Sequence, residues 1–261
     1  ATTPSLANFV KLEFEDHGYK VKVVDVARDL GTDNLMGGSK RLLPVFKSRV
    51  TKTLAKGRVI KHLLKSTRNV RKLVLTGVKP MLWGHPALGI APTTLATVRA
   101  AIVDALGVRK PGGCATTALH INGYGAHDPL VELRTELVTA FVKAVAKSKL
   151  RLALQGAWSG IHARCLSEHR WKRVNGPTSA AISTLLDVGW QPDECLTWKD
   201  PHHHTWHVDY QDECLSAQIS EVLHTSITQH VWSHVASLHP HAQGIEGGID
   251  FTAGRRLIKS W

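Results

Sequence analysis

Between Asp200 and Asp209 the chain reads DPHHHTWHVD, four histidines within six consecutive positions, flanked by Cys195 and Cys214. Imidazoles and thiolates bind zinc, so the first chemistry to weigh is a metal site. Structural zinc sites draw ligands from closely spaced pairs that converge at about 2.0–2.3 Å from the ion. Here Leu196 and Trp198 alternate before the run and Trp206 and Val208 after it, which predicts two short strands joined by a turn at Asp200–His204. Neighbours on a strand point to opposite faces, so only His202 with His204, or His204 with one thiol, can share an ion. The expectation is a solvated hairpin turn, with no metal ligand assigned.

A second pair, His230 and His234, stands four apart on one face of a long helix, within its apolar stripe. The spacing suits a metal, but no Glu completes an HExxH arrangement, so core or partner-facing histidines are expected. GYG at Gly123–Gly125 lacks the third glycine of a dinucleotide loop, and GAWSG at Gly156–Gly160 is not the GxSxG of a hydrolase elbow. No two aspartates are adjacent anywhere, so a two-metal catalytic site has no anchor. Cys114, Cys165, Cys195 and Cys214 form no CxxC pair, which argues against a disulfide scaffold and for a reducing, intracellular compartment, nuclear or cytoplasmic.

The strongest imbalance is electrostatic. The 261 residues carry a formal charge of +12, and residues 20–80 hold 16 basic and 3 acidic side chains. A helix face stabilised for its own sake mixes both signs, whereas like charges accumulate where a polyanion neutralises them. Lys47, Arg49, Lys52, Lys56, Arg58, Lys61, Lys65 and Arg68 are therefore the candidate phosphate contacts, reading no base sequence.

These residues need elements to hold them. Leu6, Phe9, Val10 and Phe14 recur at helical spacing over residues 4–16, closed by Gly18. Residues 20–34 read as two short strands or one bent strand. Phe46, Val50, Leu54, Ile60, Leu63 and Leu64 predict one long basic amphipathic helix over 44–75, or two broken near Gly57. Further helices are predicted over 93–106, from Asp128 as N-cap to about Lys149, over 151–174, over 177–188 and over 212–238. Proline and glycine interrupt the uncharged stretch 80–98, and residues 222–245 hold five histidines, so neither is predicted to cross a membrane. The fold class expected is mainly α, a helical bundle with a short N-terminal strand pair and a small β-hairpin near 195–208. Three regions are expected: 1–35, 36–110 and 111–261.

The run VKVVDVARDLGTDNLMGGSKRLLPVFKSRVTKTLAKGRVIKHL and the later VLTGVKPMLWGHPALGIAPTTLATVRAAIVDALG resemble the region downstream of the catalytic centre in reverse-transcriptase-like proteins of non-LTR retroelements, which are RNA-directed DNA polymerases. WKRVNGPTSAAISTLLDVGWQP and EGGIDFTAGRR are similar to the tail of those proteins, so the resemblance spans nearly the whole chain. It implies a palm remnant in 1–35, a thumb-like basic helical region in 36–110 and a helical connection region in 111–261. It further implies that Arg28, Asp29, Leu30 and Gly31 belong to the hairpin that grips the primer end. The family's paired aspartates lie upstream of the matched region, so Mg is expected only with that missing palm, and no cofactor in this segment.

The expectation is a fragment, not catalytic by itself, that binds RNA or an RNA–DNA duplex as part of a retrotransposon protein. The alternative is a domesticated nucleic-acid- or ribonucleoprotein-binding structural protein without enzymatic activity. A zinc-dependent binding module is the third reading.

Overall fold

The computed structural model describes residues 4–23, 26–29, 32–35, 44–63, 73–74, 82, 84–108, 113–147, 151–208, 212–238 and 244–250. Helix α1 (Pro4–Asp16) ends where Gly18 takes φ 82° and its amide, with that of Tyr19, caps the last turn. Its apolar residues Phe9 and Leu12 are exposed. Strands β1 (Val26–Asp29) and β2 (Thr32–Leu35) pair antiparallel, so of the two predicted forms the chain takes the hairpin, starting later than residue 20. Helix α2 (Pro44–Leu63) runs unbroken through Gly57. The continuation predicted over 64–72 lies outside the described residues.

Among the described residues the further α-helices are α3 (His85–Leu88), α4 (Pro92–Ala105), α5 (Ala115–Ile121), α6 (Pro129–Ala146), α7 (Arg151–Cys165), α8 (Arg170–Arg173), α9 (Pro177–Asp187) and α10 (Glu213–Leu238), with a 3-10 turn at Gly125–His127. Strands β3 (Thr197–Lys199) and β4 (Thr205–His207) form the second hairpin, inside the predicted 195–208. The chain is mainly α with two short strand pairs, as the sequence predicts. One correction concerns 151–174, where the single predicted helix breaks after Cys165 and resumes for one turn at Arg170. The sequence reading also missed α3 and α5, both too short for a periodic stripe.

Helix α6 is the centre of the bundle and packs against α3, α4, α9 and α10. Its sequence explains the position. Asp128 caps the start by accepting from the Leu130 amide at 3.0 Å, and Val131, Leu133, Leu137, Val138, Phe141, Val142 and Val145 are buried on more than one face. A helix apolar over so wide an arc loses least by standing between neighbours. One cluster, with Phe46, Ile60, Leu95, Val98 and Ile102, reaches α6 at Leu133. The other gathers Phe141, Trp158, Ile182, Leu185, Trp198, Leu223 and Ile227. Leu130 packs against both. Among the described residues no helix is long and apolar enough to cross a membrane.

Candidate nucleic-acid interface

The buried line of α2 is narrower than its periodicity suggests. Phe46, Thr53, Gly57 and Ile60 are buried, Val50 and Leu54 are half-buried, and Leu63 is exposed. The expected apolar stripe is thus corrected at two positions, where Thr53 and Gly57 replace larger residues. A Cβ placed on Gly57 would stand 3.7 Å from the Ala105 methyl and 3.8 Å from the Ala101 carbonyl, so small residues on both helices let α2 and α4 approach closely.

Six Lys and Arg and no carboxylate occupy the rest of α2. Arg49, Lys52 and Lys56 follow at steps of three and four, which places them in one row along one flank of the buried line. Lys47, Arg58 and Lys61 fall on the other flank. Lys47, Lys52, Lys56, Arg58 and Lys61 are exposed and Arg49 is half-buried. Lys61 donates to both carboxylate oxygens of Asp104 on α4, at 2.8 and 2.9 Å, so its charge is already matched inside the molecule. Lys65 and Arg68 lie outside the described residues, as do Leu30 and Gly31. Arg28 and Asp29 sit in β1 opposite Asp33 and Thr32, and β2 packs against α2, so the N-terminal hairpin adjoins the basic helix.

The first turns of α2 also border a groove of about 720 Å³ shared with the start of α4 and with residues 168–172. Lys47, His169 and Lys172 stand around it, Phe46 and Trp171 give it apolar walls, and Glu168 is the one carboxylate among its described lining residues. The N-cap of α4 is Ala91, which has no side chain to satisfy the first amides, so the positive end of that helix opens onto the same groove.

The histidine run resolves as a turn built on Asp200. That carboxylate is 4% exposed and accepts from the amides of His202 (2.8 Å) and His204 (2.9 Å), the His204 ring (3.1 Å) and the Trp206 indole (3.2 Å). Burial works to raise its pKa, but the hydrogen bonds from Trp206, His204 and His202 outweigh it and hold the carboxyl below the usual range. His202, His203 and His204 are exposed, as a solvated turn requires, and His203 takes φ 66°. Among the described residues no group of three or more His, Cys, Asp or Glu could hold a metal ion.

Two other motifs have structural explanations. Gly123 takes φ 78° at the end of α5, and a Cβ on Gly125 would meet the His120 ring at 2.5 Å, so GYG is a tight turn beneath an imidazole. GAWSG lies inside α7, where Trp158 is buried and stacks on Trp198 with ring centroids 6.4 Å apart. For His230 and His234 the core alternative of the sequence reading is set aside and the surface alternative stands. Both are exposed beside the apolar stripe of α10, which is formed by Ile219, Leu223, Ile227, Val231 and Val235.

Sequence reasoning missed the arginine network at the heart of the bundle. Arg99 donates to both oxygens of the fully buried Asp128 and to the Thr116 hydroxyl at 2.6 Å. Asp187 receives Arg134 at 3.4 Å, Arg170 at 3.5 Å and the Trp171 indole at 2.8 Å. The one available signal was Asp128 as a helix cap, which says nothing of its arginine 29 residues earlier. Compared with protein-family models, curated proteins and solved structures, the chain finds no match.

Proposed function

We propose that this chain is the template–primer binding segment of a reverse-transcriptase-like retroelement protein, with α2 following the phosphate backbone of RNA or an RNA–DNA duplex. The observation that carries the reading is α2 itself, twenty residues with six Lys or Arg, no carboxylate, and five of the six exposed. Asp104 already matches Lys61, but the helix supplies no carboxylate of its own to offset its other basic side chains, and phosphates are suited to that role. The β1–β2 hairpin adjoining α2 agrees with the grip-then-thumb order that the sequence resemblance implies. Lys172 across the neighbouring groove adds one basic side chain beyond the helix, beside Glu168. Nucleotidyl transfer needs carboxylates that hold two metal ions, and no adjacent Asp pair exists in the chain, so the proposed role is to hold the duplex.

The test is binding of a fluorescent RNA–DNA duplex across a salt series, comparing the chain with a variant carrying Lys47→Gln, Lys52→Gln, Lys56→Gln and Arg58→Gln. Binding by the unaltered chain falls steeply with salt, and each phosphate contact removed lowers the slope of log K against log salt by roughly 0.9. Affinity and slope unchanged in the variant would reject the proposal.

A further inference from the structure

Helices α4, α5, α6 and α10 border a second, partly open pocket of about 370 Å³, in which α2 takes no part. Arg99, Cys114, Thr116, Arg134, His230 and His234 supply its polar lining, and no Asp or Glu is among its described lining residues. The two arginine side chains are deep, 13% and 11% exposed, while the histidines stand exposed. Val231 and Val235, both buried, give it an apolar wall.

The charges behind this lining do not balance. Arg99 is matched by Asp128, but Arg134 shares Asp187 with Arg170, so three guanidiniums face two carboxylates. Among the described residues the buried Nε of Arg134 finds no hydrogen-bond acceptor, an arrangement that costs free energy. Although the His230 side chain reaches solvent, partial desolvation of its ring, then Arg134 and His234, hold it below its ordinary pKa, against a smaller opposing pull from Asp187. A metal cation at this pair of histidines would stand against the same guanidiniums, so their helical spacing serves an anion better than a metal.

We propose that the cavity binds a small phosphate monoester, its dianion on Arg134, Thr116 and the two histidines, its organic part along Val231 and Val235. The volume lies at the small end of ligand pockets, enough for a phosphate with a modest organic group. A dianion accepts several hydrogen bonds at once and offsets a histidine that takes up a proton on binding. Cys114 lines the same space, so its alkylation reports occupancy.

The experiment treats the full chain with iodoacetamide while inorganic phosphate is titrated, and follows each cysteine by peptide mapping. Phosphate slows alkylation of Cys114 and leaves the exposed Cys214 unchanged. Replacing the exposed His230 with Glu weakens this protection by about tenfold or more while the helical circular dichroism is retained. Arg134→Gln abolishes protection, and because that change also disturbs Asp187, His230→Glu keeps the test decisive if Arg134→Gln does not fold. Failure of phosphate to protect Cys114, equal protection in His230→Glu, or dimethyl phosphate protecting as well as inorganic phosphate would each overturn the proposal. The α2 variant described above retains the protection, which separates this site from duplex binding.

Discussion

Asp200, the half-buried Cys114 and the buried Cys165 carry the clearest consequences at the scale of single residues. Asp200→Ala leaves two amides, an imidazole and an indole without their acceptor, and is expected to cost about 2 kcal/mol in urea unfolding. The folded-state pKa of Asp200 is depressed, so its contribution is fully present above the unfolded carboxylate pKa of about 3.9 and is lost as pH falls through the folded value. The stability gap between Asp200→Ala and the parent should therefore close in acid, and a gap constant down to acid unfolding would contradict the assignment. For Cys114, burial raises the thiol pKa, yet hydrogen bonds from Thr117 and Thr116 outweigh it and leave the thiol low. Cys165 is pushed up by burial, only partly offset by Ser183, Arg164 and Arg170. Iodoacetamide should modify Cys114 at lower pH and faster than Cys165, measured peptide by peptide.

At the scale of elements, α7 shows how packing overrides propensity. Gly156 and Gly160 both sit inside this helix, exposed, and a Cβ at either would meet nothing within 4 Å. The helix persists because Trp158 is 2% exposed, donates to the Pro192 carbonyl at 2.9 Å and stacks on Trp198 of β3. Gly156→Ala and Gly160→Ala should each add about 0.5–1 kcal/mol, seen as a higher denaturation midpoint at unchanged slope. On α2 the order of influence is different. Its basic residues were legible from composition and spacing, whereas Gly57 on the buried line was not, because its approach to Ala101 and Ala105 selects for size rather than apolarity.

For the whole molecule the decisive element is α6, which closes both apolar clusters and so couples them. Ile102 belongs to the first cluster, while Trp158, Trp190 and Trp198 belong to the second, with Trp171 and Trp206 packed against it. Ile102→Ala should cost about 2–5 kcal/mol and shift the tryptophan-fluorescence transition together with the helical one. Two separated transitions would mean that the halves unfold independently. The charge of +12 acts at this scale too, and a salt series on the proposed duplex binding is the measurement that tests its contribution.

The helix stop at Gly18, the Asp128 cap, the hairpin around Asp200 and the basic character of α2 were all determined by the sequence itself. Each depends on forces acting across a few residues: left-handed glycine turns, a side chain reaching the next turn's amides, alternation along a strand, and charge density along one helix. Tertiary structure alone decided that Lys61 is matched by Asp104, that His230 and His234 stand beside two arginines, and that Arg134 and Arg170 share Asp187. The three ion pairs join positions between 17 and 53 residues apart, and the histidines lie farther still from their arginines. No periodicity encodes such a contact, because it exists only once α6 has been buried among its neighbours.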